Sequence, residues 1–303
     1  MIRLARVLLD EQSSAEELRK AAVALYDLLC DGREFRSPPT AMPTGVAISP
    51  ADAASCARDA PRTAVFLRGV FDAIREARQR HPMERLNVVY AGTGPLGALV
   101  VPLLPFLSPD DIRVAFIDIH AEAIEWLAAI LRRFGLEEFA IELRVGDAAT
   151  YRASFPVHIA IAETMQRALT VEAQVAVMRN LEGQLVPGGI AIPERITLNL
   201  GFADPAALFT SPIVPLGVVD DLSAEAVFRL PVLPRHYRAV CTADIAVFGR
   251  HRLHALESGL TYPEVFWDLG ADGQQVAFRY EEGARPGMRW RLTQDSAAEP
   301  HTP

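Results

Sequence analysis

The stretch Leu86-Asn-Val-Val-Tyr-Ala-Gly92-Thr-Gly94-Pro-Leu-Gly97 decides how this chain folds. An apolar run, Leu86 to Tyr90, leads into a Gly-x-Gly-x-x-Gly turn, and the apolar stretch Ala98 to Leu107 after it predicts a buried helix. Strand, turn and helix in that order open a nucleotide-binding unit. The glycines let backbone approach a ligand closely, and free N–H groups at a helix start favour an anionic or polar partner. Alone the turn is a weak signal, because Gly-Pro suits any tight turn. Its meaning comes from what stands around it.

Downstream, Arg113 to Asp118 reads as a buried strand ending in an acid, followed by a helix from His120 to Phe134 that Gly135 stops. Ile141 to Val145 is a third strand, ending Gly146-Asp147, and Val157 to Ala162 a fourth, ending at Glu163. A helix over Thr170 to Leu181 and a strand over Leu185 to Ile192 complete the pattern. Nearly all-apolar strands alternating with helices predict a doubly wound parallel sheet, an α/β fold. Such sheets bind ligands at the carboxyl ends of their strands, where the Gly-rich turn, Asp118, Asp147 and Glu163 all fall.

Upstream, Ser14 and Glu17 form a capping-box pattern ahead of an amphipathic helix. The Pro-rich segment from Arg36 to Pro50 reads as an ordered connector, over the surface or across a cleft. Ser49-Pro50 starts a second helical region, and Val65, Phe66, Val70, Phe71 and Ile74 mark the buried face of a helix ending near His81-Pro82. Beyond Ile196 the chain turns to short alternating stretches, such as Ala243 to Phe248 and Val276 to Tyr280, which predict antiparallel β structure. The expected divisions are an N-terminal helical region (1–83), a nucleotide-binding domain (84–196), a β-rich domain (197–292) and a polar, flexible tail (293–303).

With 303 residues, half of them hydrophobic, the chain can bury a sizeable core. A net charge of −8 argues against a protein whose task is gripping nucleic acid. No run approaches the length of a membrane span, and the start, with its short apolar run cut by Asp10 and Glu11, makes a poor signal peptide. Cys30, Cys56 and Cys241 are far apart and odd in number, so neither a disulfide framework nor a zinc knuckle is indicated and a reducing cytoplasm is expected.

Asp118, 26 residues after Gly92, stands where an acid holds a ribose diol; the plainer reading is a helix cap. Asp147 suits an adenine amino group with Ala148 beside the ring, or is an ordinary loop acid. NAD and S-adenosylmethionine both remain open on these grounds. Glu163 and Glu172 bracket one loop, and two carboxylates at one strand mouth want a cation between them, ideally a planar guanidinium. Alternatively, Glu172 complements a helix start two residues after Thr170, and Glu163 pairs with Arg167.

Four motifs in order, from Asp59 to Leu198, resemble the class I S-adenosylmethionine-dependent methyltransferases, and more closely the protein arginine methyltransferases. Besides the Gly-rich turn, Asp59-x-x-Arg62-Thr63 is similar to that family's D-x-x-R-T segment. Glu163 and Glu172, with Met165 two places after the first, match its double-glutamate loop, and Gly188-Gly-Ile-Ala-Ile-Pro193-Glu-Arg195-Ile-Thr197-Leu198 matches its G-G-x-x-x-P-x-R-x-T-L strand. The resemblance implies a Rossmann-like doubly wound sheet with N-terminal helices and a C-terminal antiparallel, barrel-like region. It implies S-adenosyl-L-methionine held by Arg62, Ala91, Gly92, Gly94, Asp118, Ile119, Asp147, Ala148 and Glu163. Glu163, Met165 and Glu172 would bind the substrate, the two glutamates being the catalytic pair, with no metal.

Several positions depart from the family. Tyr90 stands where an acid precedes the Gly-rich turn, Ala53 replaces a histidine, the paired-tyrosine helix is not evident, and Leu260-Thr261-Tyr262-Pro263 is the nearest match to a Thr-His-Trp loop. The Tyr90 departure concerns a water-mediated cofactor contact, and together these losses concern the acceptor more than the cofactor. The expected activity is therefore N-methylation of a guanidino group on free arginine or another small cationic metabolite. Methyl transfer to carbon, oxygen or another nitrogen, protein arginine methylation, and a nucleotide-binding regulatory or partner-binding role stay open, as does a homodimer.

Overall fold

The computed structural model describes residues 1–232, 236–267 and 275–293, so the expected tail lies outside the described residues except for Thr293. Two helices open the chain, α1 (Ile2–Leu9) and α2 (Ala15–Cys30). The Ser14 hydroxyl accepts from the Glu17 N–H while the Glu17 carboxylate accepts from the Ser14 N–H, a capping box that contributes about 1 kcal/mol. The Pro-rich connector crosses the molecule as a strap, residues 36–48, and carries a small hairpin of β1 (Thr40–Met42) and β2 (Gly45–Ala47). Ser49 caps α3 (Pro50–Ser55) and Asp59 caps α4 (Ala60–Arg80). The latter buries Ala64, Phe66, Leu67, Val70, Ala73, Ile74 and Ala77 along one stripe.

Five parallel strands form the central sheet: β3 (Leu86–Ala91), β4 (Ile112–Asp118), β5 (Ala140–Val145), β6 (Val157–Ala162) and β7 (Leu185–Ile192), in the order β5-β4-β3-β6-β7. Every residue of β3 and β6 is buried, which is why both read as continuous apolar runs. Val88 and Tyr90 join the core cluster of α4 and α5 (Ala121–Phe134), whereas Val89 and Ala91 join that of α6 (Gln174–Glu182). From β3 the chain continues to β4 on one side, while β6 pairs on the other. The carboxyl ends of β3 and β6 therefore flank the switch point where open α/β sheets bind ligands.

Two expectations fail here. Ala98 to Leu107 is not an α-helix but a set of turns leading into a 3-10 helix, Val101–Phe106. Pro102 and Pro105 lack the N–H that an α-helix needs. The Gly94 N–H has an anionic partner within the chain itself, donating to Asp118 Oδ2 at 2.9 Å. Secondly, α6 starts at Gln174 rather than Thr170, because Val171, inside the expected first turn, takes a φ of +71°. Glu172 thus lies outside the helix, which removes its reading as an acid inside the first turn.

After β7 come β8 (Arg195–Ala203), β9 (Val214–Val219), β10 (Ala226–Arg229), β11 (Arg238–Phe248), β12 (His251–Leu253), β13 (Glu264–Trp267), β14 (Gln275–Glu281) and β15 (Gly287–Thr293). They form an antiparallel sheet β12-β11-β8-β9, with β13 on β11, and a second sheet β10-β14-β15, as the alternating pattern predicts. This region packs on α4: a side chain at Gly69 would meet Val247 Cγ1 at 2.6 Å, and His251 Nε2 lies 2.8 Å from Asp72 Oδ2. Among the described residues no helix is long and apolar enough to cross a membrane.

Candidate functional site

A cleft partly open to solvent lies over the carboxyl ends of β3, β4 and β6. Of the residues singled out in the sequence, Arg62, Gly92, Gly94, Asp118, Ile119, Asp147, Ala148, Glu163, Met165 and Glu172 all line it. Ala91 does not. It is buried at the end of β3, where its carbonyl accepts the Glu163 N–H at 3.3 Å and so fixes the strand end that bears Glu163.

The floor of the cleft is built from paired groups. Asp118 accepts from the Gly94 and His120 N–H groups, both at 2.9 Å, which aims the carboxylate across the Gly-rich turn. Gly92 has to be glycine for local reasons: its φ is +70°, and a Cβ would fall 2.4 Å from Thr164 Cγ2 and 2.6 Å from the Glu163 carbonyl oxygen. Arg62, on the first turn of α4, donates through Nε to Glu163 Oε1 at 3.2 Å, through a terminal nitrogen to Glu163 Oε2, and through the other to the Cys56 carbonyl at 3.2 Å. Three of its five N–H donors are thereby used, and one on each terminal nitrogen is left for a second anion. Burial pulls the Arg62 pKa down, but the Glu163 carboxylate more than reverses this and keeps the guanidinium charged. Glu163 pairs with Arg62, not with Arg167, whose partner is Glu264 at 3.5 Å.

The roof is different. Here the strap lies against the loop between β6 and α6, with the Val46 N–H donating to the Val171 carbonyl at 2.8 Å. A side chain at Gly45 would meet that same carbonyl at 2.5 Å, so the two segments touch backbone to backbone. Met42, Val46 and Ile48 supply an apolar wall. Glu172, 6% exposed, projects from this loop with the Ile48 N–H as its backbone partner. Burial first, and the neighbouring Glu163 carboxylate second, push the Glu172 carboxyl up to about 8, against the pull of Arg62. These surroundings favour its protonated form, and a cation placed beside it would favour the ionised one.

Sequence reasoning missed several supporting residues. Gln174, buried, accepts from the Thr164 N–H at 2.9 Å and donates to the Ala162 carbonyl at 3.0 Å, pinning the start of the Glu163–Glu172 loop. Its place two residues after Glu172 was the only signal in the sequence. Cys56 lines the cleft, but burial pushes its thiol up to about 11, so it is a neutral wall rather than a nucleophile. Tyr90 is buried against Phe116 at 6.3 Å between ring centres, and burial pushes its phenol up, so it brings no charge where an acid was expected. Asp59 Oδ2 accepts from the Ser258 hydroxyl at 2.9 Å and the Gly259 N–H at 2.8 Å, which brings the Leu260–Pro263 neighbourhood to the foot of α4.

Among the described residues, His81, Glu84 and His158 form the one cluster with metal-ligating types, at the opposite end of the sheet. His158 Nδ1 accepts the Asn87 N–H at 3.0 Å, so its proton sits on Nε2, which faces Glu84 Oε2 at 3.2 Å. A ligating nitrogen needs its lone pair free, and a metal-bound imidazole needs an acceptor behind it. The cluster is therefore a hydrogen-bonded brace.

No protein-family model matches the chain, and no curated protein matches it. Among solved structures it is similar to a chain of a Trypanosoma brucei PRMT1 enzyme-prozyme heterotetrameric complex with AdoHcy, at 15% identity and a TM-score of 0.58, covering 80% of this chain and 93% of that one. The likeness establishes the fold: a Rossmann-like parallel core of the methyltransferase type followed by an antiparallel β-rich region.

Proposed function

We propose that the protein is an S-adenosylmethionine-dependent N-methyltransferase acting on a guanidino group, of free arginine or a small guanidino metabolite. The observation that carries this reading is the unequal pair of buried glutamates. Glu163 already holds one guanidinium, that of Arg62, while Glu172 beside it is an acid whose surroundings favour the protonated form and whose ionised form an incoming cation would favour. A planar guanidinium placed against both would localise its charge away from the attacking nitrogen, which then regains lone-pair character.

The cleft also suits the methyl donor. The spare Arg62 donors fit an amino-acid carboxylate, the Gly92–Gly94 backbone can pass alongside it, Asp118 has acceptor capacity left for ribose hydroxyls, and Asp147 with Ala148 suits an adenine edge. Bound S-adenosylmethionine supplies an electrophilic methyl group on its sulfonium. The protein's share is positioning and charge, and no residue in the cleft has to form a covalent bond. The structural neighbour, a PRMT1 complex with AdoHcy, supports both donor and acceptor chemistry, and its heterotetramer supports an assembly of more than one chain. The strap across the roof, lying on the loop that bears Glu172, favours a small acceptor over a peptide segment.

Calorimetry with S-adenosylmethionine and with NAD, followed by mass spectrometry of products from free arginine, small guanidines and arginine peptides, tests the reading. Binding of the donor and a methyl gain on the small guanidines are expected. Methylation of peptides alone would move the acceptor to protein, and binding of NAD alone would end the proposal.

A further inference from the structure

We propose that His120 is a positioning residue which, as the imidazolium, ties the strap to Asp118, so that closure of the cleft roof and the setting of its floor are one event. His120 stands just before α5, buried, with Nδ1 3.3 Å from Asp118 Oδ1 and Nε2 3.1 Å from both the Pro38 carbonyl and the Thr40 hydroxyl. A carbonyl only accepts, and so does an ionised carboxylate. A neutral imidazole carries one N–H and can serve one of them, whereas the imidazolium serves both.

The strap is fixed at its start by the Arg36 and Ser37 N–H groups on Glu122, at 3.0 and 2.8 Å, and at its end by Val46 on Val171. His120 is the link between these anchors, and it reaches the floor through Asp118. The charges facing it are Asp118 from β4 and Glu122 from its own helix, the latter approached by Arg33 at 3.7 Å; from the strap it meets only the neutral groups of Pro38 and Thr40. The Asp118 hydrogen bond pushes His120 above its ordinary pKa, with burial opposing. A histidine raised in this way contributes stability that is complete below its unfolded pKa and lost as pH rises through the folded one. The strap is tied down at the lower pH and loosens at the higher.

The strap half of this inference stands on geometry, and the consequence for donor affinity rests on the methyltransferase reading above. In the full chain, the His120 ring signal should titrate above the usual value of about 6.5, and protection of amides 40–47 against exchange should fall with the same midpoint. His120→Gln should leave that protection low and independent of pH, and should weaken S-adenosylhomocysteine binding about three- to tenfold near pH 6 but not near pH 9. Thr40→Val, which spares the Asp118 contact, should lower the midpoint and give a smaller loss. Wild-type protection and pH dependence in both variants would overturn the proposal, as would a His120 titration that the strap ignores. If S-adenosylhomocysteine binds at no pH while strap protection still follows His120, the latch stands and the donor reading falls.

Discussion

Floor and roof of the cleft solve the problem of buried charge in opposite ways. On the floor every carboxylate has its partner: Glu163 has Arg62, and Asp118 has two backbone N–H groups and an imidazole. The roof presents Glu172, equally buried, with a backbone N–H and no cation of its own beyond the Arg62 that Glu163 already holds. A paired buried carboxylate is structural first, because removing it strands its cation; an unpaired one is a standing cost that only a ligand relieves. The two glutamates, alike in the sequence, are therefore expected to fail differently.

The largest difference should appear on removing Glu163. Glu163→Gln leaves the Arg62 guanidinium buried without its counter-charge, and unfolding free energy should fall by about 3–5 kcal/mol, measured by denaturant titration, along with activity. Glu172→Gln should lower turnover about 10²–10³-fold, a loss like that of one preorganised charge-stabilising group, yet fold more tightly than wild type. The stability sign follows from the raised carboxyl: the folded state holds its proton while the unfolded chain loses it, so wild-type stability falls as pH rises from the unfolded value of 4.5 to about 8. The gain in Glu172→Gln should accordingly be absent near pH 4 and grow steadily as pH rises to about 8. Equal stability losses in the two variants would erase the distinction between floor and roof.

Kinetics sharpen it further. Since a cation needs Glu172 ionised, kcat/KM should rise about tenfold per pH unit up to about 8 and then level, whereas kcat, measured with the acceptor bound, should level at lower pH. A flat kcat/KM between pH 6 and 9 would contradict the unpaired roof acid. The smallest effect concerns floor backbone: Gly94→Ala, at φ +55° with Ala53 Cβ 3.2 Å from the new methyl, should cost about 1–2 kcal/mol, visible in thermal melts, and leave the pH profile unchanged.

The floor was legible in the sequence, whereas of the roof only Glu172 and a connector able to cross a cleft were, and not their contacts. Strands such as Val157 to Ala162, buried on both faces, write themselves as unbroken apolar runs, and their last residues deliver Asp118 and Glu163 to one edge at known spacing. The turn after Gly97 misled because its apolar composition suits a helix, while Pro102 and Pro105 withhold the N–H groups. The start of α6 misled because Thr170 looks like a cap, although the positive φ of Val171 just after it breaks the expected first turn. Nothing local marks the contact of Pro38 and Thr40 with His120, or of Ile48 with Glu172. Those pairings join segments 80 or more residues apart and leave no periodicity behind. Nor does anything in the D-x-x-R-T segment mark Ser258 as the partner of Asp59.

That last pair has a consequence in time. Asp59 heads the helix that carries Arg62, and its Oδ2 is met by Ser258 and Gly259 from 199 and 200 residues further along. During synthesis the Rossmann-like core can fold as soon as β7 has left the ribosome, but the foot of α4 gains these two bonds only once residue 259 follows. The start of the helix that carries Arg62 is thus braced by residues that leave the ribosome after every residue lining the cleft, whose last member is Val177.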